Sequence, residues 1–465
     1  MPHLPKRRRA HERRSPGRPE GGAVNDMERA QPANDRHPLP REGGWGNGMS
    51  HRPPRILLIG TADTKSDELL FLRGRIEAGG GEVLVMDVGV LDGAPFKPEI
   101  ANAEVAAAAG TTTAALAAPG DENAAMAGMA RGAARLAREL HAAGRIDGLL
   151  ALGGTMGTDL ALDVAAALPV GMPKAVLSTI AFSHLLPPER IPPDLIMLLW
   201  SGGLYGLNDL CRSSLAQAAG AVLGACRLAQ PPRFDRPIVG ITSLGSSVLS
   251  YMKRLKPALE ARGYEVAVFH TTGMGGRAFE LLAEQGRFAA VFDFSLQELA
   301  NHLGGSCVTA GASRLQGAGL AGVPQIVAPG ATDMVDFPAW CAPPARFTAR
   351  QSHAHNRLIA SGICDTAERR EIAAEIARRL RAATGPACLL LPRRGIEEWD
   401  RAGQPLHDAA GLADFVAALC DESWAPVEFV EVDAHINDAA FSDAALAVFD
   451  RWVADGRIAT ARRAA

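Results

Sequence analysis

The chain has 465 residues, of which 47% are hydrophobic, 21% charged and 5% aromatic, with a formal charge of -3 and a mean hydropathy of +0.02. That length exceeds one ordinary core and leads to an expectation of two domains of about 200 residues each. The near-neutral charge argues against nucleic-acid binding, which needs a surplus of Lys and Arg, and no apolar run reaches the roughly 20 residues of a membrane helix.

The first 48 residues carry ten basic and six acidic side chains, a surplus of four that leaves -7 for the remainder. They have no apolar signal core and too little apolar content to bury, so residues 1–52 are expected to be a disordered basic tail. MSHRPPRILLIG reads as a start at Met49 with upstream sequence prefixed to it; a basic arm for nucleic acid is the alternative. From Arg55 onward, short β-branched runs alternate with Ala-rich stretches of period 3.6. Strands are expected at 55–60, 83–90, 148–154, 174–179 and 194–200, with helices at 66–78, 121–143, 158–167 and 208–228, and Ser66 is the expected N-cap of the first helix.

The Pro-rich segment AQPPRFDRP (229–237) reads as a linker, because a new strand–helix register starts at 237–242. It divides a domain at 53–230 from one at 231–465. The second domain continues with strands at 264–269, 289–294, 324–330, 387–392 and 427–432 and helices at 247–261, 276–284, 368–381, 412–419 and 442–453. The expected fold class is α/β: two tandem doubly wound domains with mainly parallel sheets and an interdomain cleft as the natural site. Seven Cys without metal-type pairing fit a reducing cytoplasm rather than a disulfide scaffold.

Ligands of open parallel sheets sit beyond the carboxyl ends of strands, so the loops after the strands carry the argument. Gly60-Thr-Ala-Asp-Thr-Lys65 runs into a helix, where backbone N–H groups can meet an anion and Lys65 can offset a phosphate; it reads equally as an ordinary turn. Gly153-Gly-Thr-Met-Gly-Thr158 is a second Gly-rich strand-to-helix turn. Neither matches GxGxxG or GxxxxGK[ST], which weakens NAD and Walker-type readings. A third turn, His270-Thr-Thr-Gly-Met-Gly-Gly-Arg-Ala-Phe-Glu280, holds three glycines, with Gly275 expected at positive φ against a phosphate. Glu280 is within reach of a ligand, or is a plain helix-surface carboxylate.

Further along, Asp293, Glu298, Asp333 and Asp336 are candidates to hold Mg²⁺ through water or to act as a base, and read equally as helix caps. His353 and His355 lack helical metal spacing, His435 lies in a polar C-terminal run, and Cys307 reads as a free buried thiol rather than a nucleophile.

As a set, GTADTKSDEL (60–69), GGTMGT (153–158), STIA (178–181), HTTGMGGRAFE (270–280), GGSCVTAGASRL (304–315), GATDMVDF (330–337), HNR (355–357) and HIND (435–438) resemble the family of Tm-one-like ATP-binding proteins, from about Arg55 to the end. That family is named for the ATP-binding domain of a plant tobamovirus-resistance protein. The resemblance implies two Rossmann-like halves, ATP in the cleft between them, often a homodimer, and a partner of the phosphoenolpyruvate-utilising TIM-barrel type encoded separately. By position it implies nucleotide contacts at Thr61, Ala62, Asp63, Lys65, Gly153, Gly154, Thr155, His270, Thr272, Gly273, Gly275, Gly276, Glu280 and Ser295. Met156 stands where the family usually has glycine, and Phe-Ser-Leu-Gln after Asp293 replaces a Thr-rich run.

The expected function is therefore an ATP-dependent enzyme of the cytoplasm acting on a small anionic metabolite. Mg²⁺ would be placed, or a proton accepted, by Asp293, Glu298 or Asp333. A nucleotide-binding regulatory module without turnover, and a sugar-acid or acyl-phosphate enzyme using no nucleotide, are the other two readings.

Overall fold

A computed structural model describes residues 52–460 except 92, 231, 234, 246 and 247; the expected tail up to residue 51 lies outside the described residues. The first half runs β1 (Arg55–Gly60), α1 (Ser66–Ala78), β2 (Glu82–Asp87), α2 (Asn102–Ala108), α3 (Thr113–Ala117), α4 (Glu122–Ala142), β3 (Gly148–Gly153), α5 (Thr155–Ala167), β4 (Lys174–Ser178), β5 (Leu195–Leu199) and α6 (Asp209–Leu228). The strands pair in parallel in the order β2-β1-β3-β4-β5. β1 and β3 are continuous apolar runs because helices cover both faces: α2, α4 and α5 on one, α1 and α6 on the other.

The second half runs β6 (Ile238–Ser243), α7 (Met252–Ala261), β7 (Glu265–His270), α8 (Met274–Glu284), β8 (Phe288–Asp293), α9 (Gln297–Leu303), α10 (Gly317–Leu320), β9 (Gln325–Val327), β10 (Met334–Pro338), β11 (Ser352–Ala354), β12 (Ile359–Ile363), α11 (Thr366–Arg381), β13 (Ala387–Pro392), α12 (Ala409–Asp421), β14 (Glu428–Val432) and α13 (Ala439–Ala454). Six parallel strands take the order β14-β13-β9-β8-β6-β7. Both sheets thus place the second strand outside the first and wind the rest the other way, so chain order reverses between β1 and β3 and between β6 and β8. Both halves are doubly wound and Rossmann-like, as the strand spacing predicts.

The short helices α2, α3, α9 and α10 were not expected and α7 begins at Met252 rather than 247; three further features depart from the sequence reading. An antiparallel sheet, β10-β12-β11, is inserted between β9 and α11. α8 and α13 start earlier than expected, at Met274 and Ala439, where Gly275 and Gly276 or Ala439 and Ala440 dilute the apolar pattern. Ser66 is not a cap: it is the first residue of α1, Lys65 holds the cap position, and no side chain bonds the helix start. α4 and α11 have orthodox caps. Asp121 accepts the N–H groups of Asn123 and Ala124 at 3.0 and 3.1 Å, and Asp365 and Glu368 form a reciprocal box at α11.

Gly132 of α4 lies so close to α2 that a methyl group there would overlap the carbonyl of Val105. Gly132→Ala should therefore destabilise the fold by about 1–3 kcal/mol through overpacking, outweighing its better helix propensity. Urea denaturation of the two chains checks the sign.

Candidate functional site

The reversal between β1 and β3 is where a doubly wound sheet opens a crevice. On one side of it, Ala62 is buried and its N–H donates to Asp87 Oδ1 at 2.9 Å; the same oxygen accepts the Gly89 N–H at 2.9 Å. Burial pushes the Asp87 carboxyl up, against those two bonds. Asp63 turns toward the loop after β2, accepting the Leu91 N–H at 3.3 Å, and a methyl at Gly89 would come within 2.5 Å of it. Ala62 and Asp63 thus brace the loop. Thr61 and Lys65 remain outward: Thr61 Oγ1 meets Thr64 Oγ1 at 2.8 Å, and Lys65 Nζ lies 5.1 Å from the Tyr205 ring centre.

On the other side, α5 begins directly from β3. Gly153 is needed for packing, since a Cβ there would sit 2.6 Å from Gly157 Cα. Gly154, the cap residue of α5, is different: it has extended φ and ψ, its nearest neighbour to a built Cβ is Thr179 Oγ1 at 3.8 Å, and no side chain caps the helix. Thr155 and Met156 of this start line a cavity of about 260 Å³ closed by Asn123, Ile180, Leu185 and Arg190. Arg190 is held on α5 by Asp159 and, at 2.6 Å, by Asp163. The strap carrying Arg190 also touches the second half, where Arg277 Nε donates to the Glu189 carbonyl at 2.9 Å.

The second half closes its equivalent crevice with protein. Arg314, fully buried, has its five N–H groups directed at acceptors: Nε to Glu298 Oε2 at 2.9 Å, and the two terminal nitrogens to Glu280 at 3.0 Å, to both Asp293 oxygens at 2.5 and 2.7 Å, and to the Ser295 carbonyl at 2.8 Å. Glu298 Oε1 accepts the N–H groups of Gly273 and Gly276 at 2.6 and 3.1 Å, and Glu280 Oε2 accepts the Gly317 N–H at 2.6 Å. Burial outweighs the guanidinium's pull, lifting Glu280 and pushing Glu298 up to about 7. Thr242 Oγ1 donates to Asp293 at 2.7 Å, and the Ser295 and Thr271 hydroxyls meet at 2.6 Å.

This corrects several expectations. Asp293, Glu298 and Glu280 do not face a crevice as metal ligands, bases or ligand contacts, because their oxygens are taken by Arg314 and backbone N–H groups. Ser295 is fully buried in the same network. The positive φ of the third turn, +96°, belongs to Gly273, whereas Gly275 and Gly276 are glycine because a methyl would overlap the His270 carbonyl or the Glu298 carboxylate. His270 and Thr272 stay exposed, and His270 Nδ1 accepts the Gly245 N–H at 3.3 Å. Arg314, within GGSCVTAGASRL, was missed, because only the fold brings Glu280, Asp293 and Glu298 together around it.

A second buried cluster sits beyond β9, β13 and β14. Asp333 and Glu397 each keep one buried oxygen without a hydrogen-bond partner, and both carboxyls are pushed up by burial first. Arg369 opposes the rise at Asp333, whereas the Asp333 charge adds to it at Glu397. His435 Nδ1 accepts the Asn437 N–H at 3.0 Å, so in the neutral ring the proton is on Nε2, facing the Glu397 carbonyl at 2.9 Å and Asp400 Oδ1 at 3.1 Å. Burial pushes the Asp333 carboxyl up to about 7. Among the described residues no three His, Cys, Asp or Glu side chains are placed to hold a metal ion.

Residues 54–231 match the model described as the N-terminal domain of an uncharacterised protein family, UPF0261, and residues 236–453 match its C-terminal domain. A UPF0261 protein of Brucella melitensis is 55% identical over 403 residues, covering 87% of this chain and 96% of the relative. One from Clostridium tetani is 33% identical over 83% of this chain and 96% of its own. The ToMV resistance protein Tm-1(GCR237) of Solanum lycopersicum is 28% identical over 84% of this chain and 55% of its own length.

Two outcomes test the buried groups. Arg314→Met strands three carboxylates and should cost about 3–5 kcal/mol in urea denaturation. Glu397 titrates above its unfolded value, so the stability from its protonated form is full below about pH 4.5 and fades as pH rises toward its folded value. Glu397→Gln, which cannot ionise, should therefore lose less of its urea midpoint than the parent between pH 5 and pH 8.

Proposed function

The chain belongs to the two-domain UPF0261 family, uncharacterised in activity, and on that premise we propose that it binds ATP with the phosphates at the carboxyl end of the first sheet. The observation that carries this is the start of α5: a helix N-terminus at the chain reversal, capped by no side chain, behind a glycine with open space before it. Such N–H groups and the helix dipole favour an anion. The adjoining cavity, about 260 Å³, lies just below the usual range of about 300–1,000 Å³ for small-molecule pockets. It takes the phosphate end, with Mg²⁺ carried on the phosphates and Lys65 swinging from Tyr205 to meet them. The motif resemblance supports the same reading. The strap from Leu185 to Arg190 links this end to the second half, so ligand binding acts on the contact between Glu189 and Arg277.

A binding role without turnover is the second reading. It is favoured by the commitment of Asp293, Glu298 and Glu280 to Arg314, which leaves none of these three carboxylates to hold a metal or move a proton.

Gly154→Asp separates ligand binding from folding. The new carboxylate would cap α5, worth a few tenths of a kcal/mol over glycine, and stand where a phosphate should go. The melting temperature should hold or rise, while calorimetric affinity for ATP and ADP falls at least about tenfold and that for adenosine stays level. Unchanged ATP affinity in this variant would place the phosphates elsewhere.

A further inference from the structure

We propose that the start of α13 is a separate site for a phosphate group, free or carried on a small metabolite. An open groove of about 600 Å³ between α7 and α13 is lined by Ser250, Lys253, Arg254, Asn437, Ala439 and Ser442. Asp438 occupies the cap position of α13 but does not bond the helix start. Its carboxylate is directed to Arg401 at 3.0 Å and to the His435 N–H at 3.1 Å. The first N–H groups of this 16-residue helix, those of Ala439, Ala440 and Phe441, therefore have no acceptor among the described residues.

The independent observation is Ser442. It is 1% exposed, lines the groove from the first turn of α13, and its hydroxyl has no hydrogen-bond partner. A buried hydroxyl without a partner is unfavourable in itself and is explained by a ligand that supplies one.

The uncapped helix start selects the ligand's sign. Around the groove Asp443 pairs with Arg254 at 2.6 Å, while Glu398 and Asp438 share Arg401 at 3.0 Å each. Lys253 is exposed on the rim with no acidic partner among the described residues and brings the three acids and three bases around the groove into balance, so its ammonium can turn to an incoming anion. Asn437 fixes the geometry, its Oδ1 accepting the Ser250 N–H at 3.2 Å and its Nδ2 donating to Glu398 at 3.2 Å. The HIND run thereby acquires a purpose: it ties the α7 and α13 starts together and turns Asp438 away from the helix it precedes. Uncapped N–H groups, one lysine and one waiting hydroxyl suit a phosphate group.

Calorimetric titration of the full chain with inorganic phosphate, glycerol 3-phosphate, glycerol and ATP tests this. Binding of either phosphate that weakens with salt, with none of glycerol, is expected; the tighter of the two names the source. Lys253→Glu and Ser442→Ala should each weaken it at least about tenfold while ATP affinity stays level. Ser442→Ala should leave the melting temperature unchanged or slightly higher, because the hydroxyl has no bond to lose. Failure of the parent chain to bind either phosphate, or parent-like binding in both variants, overturns the proposal whatever ATP does. Equal loss of ATP and phosphate binding also overturns it, by making the groove part of the nucleotide site.

Discussion

Arg314 is the residue on which the second half is organised. Its guanidinium joins the end of β8 through Asp293, the body of α8 through Glu280 and the start of α9 through Glu298, and its own backbone leads into α10. Three acids around one base leave an excess of negative charge in a dry interior, and burial accordingly raises Glu280 and Glu298. The arrangement is tolerable because no donor of Arg314 is without an acceptor, and because the acids also accept backbone N–H groups of Gly273, Gly276 and Gly317. A buried ion cluster of this kind adds less to net stability than its bond count suggests, but it fixes register strictly, since each misplacement leaves a buried charge unmatched.

That cluster also accounts for the difference between two halves of the same winding. In the second, the anion-attracting start of α8 already holds an anion, the carboxylate of Glu298. In the first, the start of α5 faces a cavity whose one acid, Asp159, is paired with Arg190. Charge complementarity is therefore satisfied internally in one half and left open in the other, and the nucleotide reading follows the open one.

Much of the fold was legible because buried parallel strands are continuous apolar runs; 387–392 and 55–60 were read at the observed bounds. The antiparallel insert was not, because β11 is three residues long and largely exposed, and β10 is polar at Asp336. The chemistry-bearing residues of the second half were legible as a group. Their role was not, because acids beside glycines look alike whether they await a cation from solvent or already share one from a loop more than ten residues away.

Glycine carries the same ambiguity, and only the neighbours resolve it. A Gly-rich turn between strand and helix can exist so that a ligand may approach or so that the protein may. At Gly153, Gly275 and Gly276 the space a side chain would need is filled by Gly157, His270 and Glu298. Selection for packing alone explains those positions, and a motif shared across relatives would persist there with no ligand at all. Gly154 has no such neighbour within 3.8 Å. Its missing side chain answers to nothing in the protein, which makes it the position where resemblance to a nucleotide-binding family and the physical reading of the turn converge.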